Sequence, residues 1–409
     1  MTVPGGGRDD EGAGVFVARS ATTSGASIDE RAGWYYSGAV ADRAAIMRAA
    51  MKAGIVGLAS AGKSTLFQLL TGAAASVTSG RPEPRLGIAR VPDPRVVALA
   101  DMYQPKKTTL ATIEYVDVPG VSKGEGHALV DLPALRGIDA LVHVVRAFES
   151  ELVPHPDGLV DPLRDATMLD LELILADLGA VEKRLERLDA NIKKANRAED
   201  VAERRLFHKL KEVLEAERPL RDMVLEPDEK RRLRNYSFLS EKPVLLVANL
   251  GEAEIRDAAV ALERTGLAEL VKSRPGVGLC AVAAPIEAEI AQLPLVDAKA
   301  FLDDLGLREP GLDRVIRTSY ELLGLISFLT AGEDECRAWT VRRGTRAQQA
   351  AGEVHSDIER GFIRAEVVAF DDLMAHGSIA ACREKGALRL EGKEYLVRDG
   401  DVINFRFAV

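Results

Sequence analysis

The sequence has few cysteines and no long apolar run. Three cysteines occur in 409 residues, an odd number without the spacing of a zinc site, which argues against a disulfide scaffold and predicts reduced thiols in the cytoplasm. No stretch approaches the roughly 18 apolar residues of a membrane-spanning helix, and the first residues lack the pattern of a secretory signal. We therefore expect a cytoplasmic protein with no membrane partner.

An excess of positive charge is also missing. The chain has 63 acidic against 54 basic residues and a formal net charge of −9, so the whole chain is not drawn to nucleic acid and no DNA specificity is expected. Residues 181–240 differ, with 16 Lys or Arg against 13 Asp or Glu. This local basic charge indicates either a solvated helix face or a surface that contacts RNA phosphates.

The order of apolar segments predicts an α/β fold. Residues 1–50 show no sustained periodicity and predict a disordered extension. Over residues 51–325, strand-like runs alternate with helical segments, as in a mostly parallel sheet. The predicted strands cover residues 55–56, 110–118, 140–145, 243–249 and 278–282.

Helical periodicity interrupts this alternation at residues 165–242. Apolar residues recur at spacings of three and four from Leu171 to Ile192 and again from Leu206 to Leu214, with a polar break between them. This pattern predicts an inserted antiparallel helical hairpin. Further helices are predicted at 254–270 and 285–293. Residues 326–409 predict a separate mixed-sheet domain with strands at 336–341, 365–370, 388–390, 394–397 and 402–407.

A phosphate-binding pattern, G-x-x-x-x-G-K-[ST], covers residues 57–64 between a predicted strand and an apolar helix. Backbone N–H groups of the loop and the helix N-terminus would cradle phosphates, and Lys63 would bring a mobile charge to the terminal ones. Ser64 would ligate Mg²⁺ through its hydroxyl. The residues expected at the phosphates are Gly57, Ala59, Ser60, Ala61, Gly62, Lys63, Ser64 and Thr65.

A second metal-binding acid is expected at the end of a nearby strand. Asp117 meets this requirement and begins an Asp-x-x-Gly element. Asp117 would hold Mg²⁺ through water, and the backbone N–H of Gly120 would sense the γ-phosphate. Lys63 and Gly120 are therefore the candidate catalytic groups.

The predicted strand 243–249 ends in Asn-Leu-Gly-Glu, where guanine-specific proteins present Asn-Lys-x-Asp. The Asp normally accepts hydrogen bonds from guanine N1–H and the 2-amino group, which adenine lacks. The change removes a reason to prefer GTP, although Glu252 is still a carboxylate. Asn249, Leu250 and Glu252 are the candidate base contacts, and a helix cap is the alternative role for Asn249.

These elements, together with the segments at 91–95, 143–146, 361–366 and 399–401, resemble the YchF-type Obg-like ATPases among the translation-factor-related P-loop GTPases. The resemblance runs from about Met51 to Val409. It implies a P-loop domain at 51–325 that carries the helical arm 165–242, and a ubiquitin-like β-grasp (TGS) domain at 326–409. It further implies an ATPase that uses Mg²⁺, with ATP preferred over GTP, and that binds the ribosome or ribosomal RNA through the arm and the TGS domain.

Three departures from the family pattern concern the site. Ala59, Ser60 and Ala61 replace Pro-Asn-Val, Arg81 stands where a switch threonine contacts Mg²⁺, and the second switch is shorter. Val121 occupies the place of the usual catalytic glutamine, as the resemblance implies, so slow hydrolysis is expected. A nucleotide-binding ribosome adaptor with little hydrolysis and a GTP-preferring GTPase remain the alternatives.

Overall fold

The chain forms two units in the computed structural model, which describes residues 51–73, 84–118, 131–156, 158–272 and 274–408. One unit holds residues 93–110 and 326–408, and the other holds the remaining described residues. The predicted extension 1–50, Arg81 and the second-switch residues Gly120 and Val121 lie outside the described residues.

A six-stranded sheet forms the centre of the larger unit. Its strands are β1 (Lys52–Val56), β2 (Arg85–Arg90), β4 (Thr112–Asp117), β5 (Ala140–Ala147), β6 (Val244–Leu250) and β7 (Val277–Val282). The spatial order is β2-β4-β1-β5-β6-β7. All neighbours pair in parallel except β2 and β4, which confirms the predicted mostly parallel sheet. Strands β5 and β6 are almost wholly buried, as expected for strands covered on both faces.

Ten helices are described in the larger unit, and those that cover the sheet enclose its main apolar core. They are α1 (Lys63–Thr71), α3 (Leu132–Leu135), α4 (Pro162–Ala195), α5 (Ala198–Glu215), α6 (Pro227–Leu233), α7 (Ala258–Arg264), α8 (Leu267–Lys272), α9 (Ala284–Ile290), α10 (Leu295–Asp304) and α11 (Gly311–Leu322). Short 3₁₀ turns cover Leu220–Asp222 and Ile255–Asp257.

Helices α4 and α5 form the predicted hairpin, and together with the following residues up to 242, which include α6, we call this region the arm. The carboxylate of Asp161 accepts from the Arg164 N–H at 3.0 Å and caps α4, and Asn196 in the left-handed region ends it. The two helices share an apolar core that includes Leu188 and Phe207. The arm therefore has a core of its own, distinct from that of the sheet.

Buried polar contacts fasten the base of the arm. Asp177 on α4 accepts from Leu239 N–H (2.9 Å), Ser240 N–H (2.7 Å) and the Ser240 hydroxyl (2.6 Å). Asp170, two turns earlier, pairs with Arg221 and with Arg274, the latter at 2.7 Å. These contacts tie α4 both to the returning chain and to the residues just before β7.

The smaller unit contains a second six-stranded sheet in the order β11-β10-β12-β8-β9-β3. Its elements are α2 (Pro94–Tyr103), β3 (Lys107–Thr109), β8 (Leu325–Thr330), β9 (Glu335–Arg342), α12 (Ala347–Val354), α13 (Ser356–Arg360), β10 (Phe362–Ala369), α14 (Phe370–His376), α15 (Ile379–Glu384), β11 (Arg389–Glu391) and β12 (Asp401–Phe407). Strand β3 pairs in parallel with β9. The predicted C-terminal sheet domain is confirmed, but the sequence did not indicate that residues 93–110 join it.

Two predicted elements are corrected. Residues 394–397 do not form a strand: Leu396 makes only an isolated bridge, and the Tyr395 N–H closes a turn on Gly392. The predicted helix 254–270 is divided into a 3₁₀ turn, α7 and α8, and Gly266, with φ +74°, separates α7 from α8. No helix within the described ranges is both long and apolar enough to cross a membrane.

Candidate functional site

The loop between β1 and α1 has the backbone shape that its sequence pattern predicts. Gly57 and Gly62 have φ values of +141° and +102°, and Ser60 between them has +61°. A Cβ at Gly57 would collide with the Val144 carbonyl, and one at Gly62 would lie 2.5 Å from Asn249 Nδ2. The loop is therefore pressed against the ends of β5 and β6, and only glycine fits at its two bends.

Helix α1 directs its free N–H groups into this loop. The helix begins at Lys63 with Gly62 as its N-cap, and glycine has no side chain to satisfy the first-turn donors. Ser64 and Thr65 are exposed, whereas Ala61 is buried. A glycine-bent loop that leads into an uncapped helix start can bind an anionic phosphate through its backbone.

Lys63 folds back over the loop. Its Nζ donates to the Leu58 carbonyl oxygen at 2.7 Å. Burial lowers the pKa of Lys63, and the nearby Asp117 carboxylate partly opposes that shift. The site thus carries a half-buried cation whose present partner is a neutral carbonyl that an anion could replace.

Asp117 ends β4 beside the start of α1. Its Oδ2 lies 3.4 Å from the Ser64 hydroxyl, and its side chain is 9% exposed. Arg85 Nη2 forms an ion pair with the same oxygen. The structure therefore brings together the predicted Lys63, Ser64 and Asp117 and adds Arg85, which sequence reasoning missed. The signal that could have found it is its position at the first residue of the strand that pairs with β4.

The predicted base element lies at the end of β6. Asn249 is buried and donates from Nδ2 to the Ala61 carbonyl at 3.0 Å, while its Oδ1 accepts from the Ala284 N–H at 3.2 Å. Leu250 packs its side chain in the sheet core, whereas Glu252 is exposed. The Asn249 amide therefore joins the phosphate loop to the start of α9, and Leu250 can offer a ligand only its backbone.

Strand β5 carries two buried polar residues, His143 and Arg146. His143 is buried and contacts the site at Gly57, where a Cβ would lie 3.4 Å from its Cδ2. The pKa of His143 is lowered to about 4, mainly by burial and also by Lys63 and Arg221, against the opposing effect of Asp170. Arg146 donates to the carbonyls of Phe148 (3.0 Å) and Val153 (2.7 Å). In the sequence, His143 and Arg146 stood out only as part of the segment 143–146, which contributes to the family resemblance.

The turn between α4 and α5 carries three exposed cations. In the middle of the hairpin, ion pairs such as Arg184–Glu203 (2.9 Å) and Lys211–Glu182 (2.8 Å) neutralise part of the charge. The cations Lys193, Lys194 and Arg197 are exposed at its tip, and no carboxylate of the described chain lies within ion-pair distance of them. Exposed cations on α6 and just after it are Lys230, Arg231, Arg232 and Arg234.

An all-protein metal cage is not found in the ranges that the structure covers, since no three His, Cys, Asp or Glu side chains there could hold an ion. The pair Ser64 and Asp117 instead offers two oxygen atoms beside the phosphate loop. Such a sparse oxygen set fits Mg²⁺, which keeps several waters and binds substrate phosphates.

Comparison with known protein families gives two matches, one in the first half of the chain and one at its C-terminal end. A model described as a 50S ribosome-binding GTPase (MMR_HSR1) matches residues 52–159. A model of the YchF GTPase C-terminal domain, described as a protein of unknown function, matches residues 325–408.

Several whole proteins are similar along most of the sequence. The Ribosome-binding ATPase YchF of Bacillus subtilis (strain 168) is 44% identical over 368 residues, which cover 88% of this chain and 100% of that protein. Its counterpart in Escherichia coli O157:H7 is 40% identical over 365 residues, which cover 88% of this chain and 99% of that protein. The solved YchF GTPase of Schizosaccharomyces pombe superposes with a TM-score of 0.76 at 30% identity and covers 87% of this chain and 97% of that one.

Proposed function

The chain belongs to the YchF family of P-loop NTPases, and from this premise we propose that it hydrolyses ATP, in preference to GTP, to ADP and phosphate with Mg²⁺ while associated with the ribosome. The single observation that carries the hydrolytic part is the convergence of Lys63, Ser64 and Asp117 on a loop that is bent by two glycines.

Each group has a role in this proposal. The loop amides and the start of α1 bind the β- and γ-phosphates, and Lys63 exchanges the Leu58 carbonyl for a phosphate oxygen. Ser64 and Asp117 hold the metal ion, directly and through water. Magnesium, when bound, neutralises charge that develops on the transferred phosphoryl group. The Gly120 N–H would sense the γ-phosphate, and with Val121 unable to orient water we expect slow turnover.

The preference for ATP is supported by the base element. Guanine needs a carboxylate for its N1–H and 2-amino group, and Glu254, one acid near the end of β6, already accepts from the Gly251 N–H (3.2 Å) and Arg264 (2.8 Å). Glu252 is exposed and one methylene longer than aspartate. Asn249, Leu250 and Glu252 would then serve adenine, with Leu250 contributing only backbone groups. Competition binding between ATP and GTP tests this point, and a strong preference for GTP contradicts it.

Steady-state phosphate release tests the enzyme. We expect Lys63→Ala to reduce the rate about a hundredfold or more, because it removes a cation at the reacting phosphates. Lys272→Ala, which removes an exposed lysine on α8, is the matched control and should keep the wild-type rate. Undiminished release in Lys63→Ala would contradict the assignment. Nucleotide binding without turnover, even with ribosomes and potassium present, would instead identify a nucleotide-binding adaptor.

Ribosome association is proposed from the printed names of the relatives and from the charge of the arm. The cations at its tip are exposed and form no ion pair within the described residues, which suits contact with an RNA backbone. The C-terminal unit is the second proposed contact.

Two triple variants test the arm, one at its tip and one at α6, and in each of them three cations are replaced by Glu. We expect both variants to lose co-sedimentation with ribosomes. Their loss should be greatest at low salt because phosphate contacts are salt-dependent. A triple reversal of exposed cations on the larger unit, outside the arm, should co-sediment like wild type. Unchanged sedimentation of both arm variants would count against the arm. The three sets are Lys193, Lys194 and Arg197; Arg231, Arg232 and Arg234; and, as control, Arg256, Lys272 and Lys299.

A further inference from the structure

Arg85 forms an ion pair with the carboxylate oxygen of Asp117 that faces the proposed metal position. Its Nη2 pairs with Asp117 Oδ2, and that same oxygen is the one 3.4 Å from the Ser64 hydroxyl. A guanidinium and a serine hydroxyl therefore meet at one carboxylate oxygen. In the proposed function, this is the space between Ser64 and Asp117 where a divalent cation and its water would lie.

Two features of the fold fix Arg85 in this place. It is the first residue of β2 and lies opposite Asp117, the last residue of β4, in the antiparallel register. Its guanidinium carbon also lies 5.2 Å from the centre of the Phe67 ring, which is fully buried on α1. A ring face attracts a cation, so Phe67 and Asp117 hold the guanidinium from two sides.

The charges of the site explain what the contact does. Without nucleotide, one carboxylate faces two cations, because Lys63 and Arg85 both lie near Asp117. A divalent cation at the same oxygen would meet the guanidinium at short range, and repulsion between like charges is strong in a partly buried site. The Arg85 side chain is 29% exposed and that of Asp117 9%, so water screens this repulsion only in part.

We propose that Arg85 is a tethered counter-ion of the metal-binding acid: it neutralises Asp117 when no divalent cation is bound and leaves Oδ2 when Mg²⁺ enters. Arg85 is a positioning residue in this scheme, and the inference rests on the proposed function. Because competition at one site is reciprocal, Arg85 raises the Mg²⁺ concentration that nucleotide binding requires. Without Mg²⁺, it shields the phosphates from the Asp117 charge.

The test is a binding titration with fluorescent ADP, which requires no turnover. In Arg85→Gln, the Mg²⁺ concentration at half-maximal binding should fall about tenfold, a change typical of removing one competing charge in a partly buried site. In EDTA, the same variant should bind fluorescent ADP more weakly than wild type, because Asp117 then repels the phosphates. These two opposite shifts form the signature of the proposal, since a misfolded variant would weaken binding in both conditions.

Two further variants complete the experiment. Arg85→Lys keeps the positive charge and should retain the wild-type Mg²⁺ midpoint more closely than Arg85→Gln. Arg90→Gln removes an arginine at the other end of β2, opposite Thr112, and should leave both curves unchanged. An Arg85→Gln midpoint equal to or above that of wild type would overturn the inference. Failure of the wild-type chain to bind nucleotide at any Mg²⁺ concentration would instead overturn the proposed function.

Discussion

Asn249 donates its side-chain amide to the carbonyl of Ala61, 3.0 Å away. The two residues are separated by 188 positions in the chain, and the bond joins the end of β6 to the last turn of the phosphate loop. The other half of the amide accepts from the Ala284 N–H at 3.2 Å. One buried side chain thus connects the phosphate loop, the end of β6 and the start of α9.

Replacement of Asn249 by alanine should weaken both the fold and nucleotide binding. The buried Ala61 carbonyl and Ala284 N–H would lose their partner, at a cost of about 1–3 kcal/mol for each unsatisfied group. Urea denaturation measures the loss of stability, and equilibrium binding of fluorescent ADP measures the loss of affinity. Asn249→Asp keeps the acceptor for Ala284 but places a carboxylate against the Ala61 carbonyl, so it should also bind weakly. Wild-type stability and affinity in Asn249→Ala would refute this role.

Gly57→Ala and Gly179→Ala should shift stability in opposite directions. At Gly57 the backbone has φ +141° and a Cβ would collide with the Val144 carbonyl, so the loop must move and phosphate binding should be lost. Gly179 lies inside α4 with nothing within 4 Å of an added Cβ. There alanine should stabilise the helix by about 0.5–1 kcal/mol. Thermal unfolding and nucleotide binding of the two variants check the pair, and tight binding by Gly57→Ala would be the contrary result.

His143 should make the protein less stable in acid. Burial lowers the pKa of His143 to about 4, below its ordinary value near 6.5, so the unfolded chain takes up a proton at this residue before the folded chain does. The stability that neutral His143 contributes is complete above about pH 6.5 and falls as the pH drops toward 4, by at most about 3 kcal/mol. His143→Gln should lack this dependence, whereas His355→Gln, at an exposed histidine, should retain it. Denaturant titrations at several pH values measure the difference, and parallel curves for wild type and His143→Gln would contradict the prediction.

Glu287 should give the opposite pH dependence of stability, because its contribution is lost as the pH rises. It is buried on α9 and accepts from the Gly311 N–H at 2.8 Å and the Leu312 N–H at 3.3 Å, yet burial raises the pKa of Glu287 to about 7. The folded chain therefore holds a proton that the unfolded chain releases near pH 4.5, so this residue's contribution to stability falls as the pH rises from about 4.5 to 7.

The contribution of Glu287 to stability is measured as a difference between wild type and a variant, because His143 titrates in an overlapping pH range. The free energy of unfolding of wild type minus that of Glu287→Gln should decline by up to about 3 kcal/mol across this range and become flat above it. The free energy of unfolding of His143→Gln minus that of the double variant His143→Gln/Glu287→Gln should show the same decline. A difference that rises with pH would show that Glu287 is ionised in the folded chain throughout.

The sequence predicts local features of this site well. The strand, two glycines, lysine and helix of the phosphate loop are consecutive, so their spacing alone determines that α1 starts at Lys63. The apolar runs of β5 and β6 and the periodicity of the arm are likewise contained in short segments. In each case the physical constraint acts between residues that are neighbours in the chain.

Features that depend on distant pairing could not be predicted. Arg85 reaches Asp117 only because β2 pairs antiparallel with β4 in one register, and β3 joins the smaller sheet through β9, more than 200 positions away. Similarly, residues 394–397 have the composition of a strand, but the Tyr395 hydroxyl donates to Asp401 at the start of β12, 2.8 Å away. Composition and periodicity carry no information on such partners.

The central claim is that Mg²⁺ and a triphosphate meet at Lys63, Ser64 and Asp117. A crystal structure with a non-hydrolysable ATP analogue and Mn²⁺ in place of Mg²⁺ tests it most directly, because manganese is located by its anomalous scattering. We predict an anomalous peak about 2.1 Å from the Ser64 hydroxyl oxygen, a water between that peak and Asp117, and the terminal phosphates against the backbone of the glycine loop. Nucleotide bound elsewhere, or phosphates in this loop with no metal near Ser64, would contradict the account.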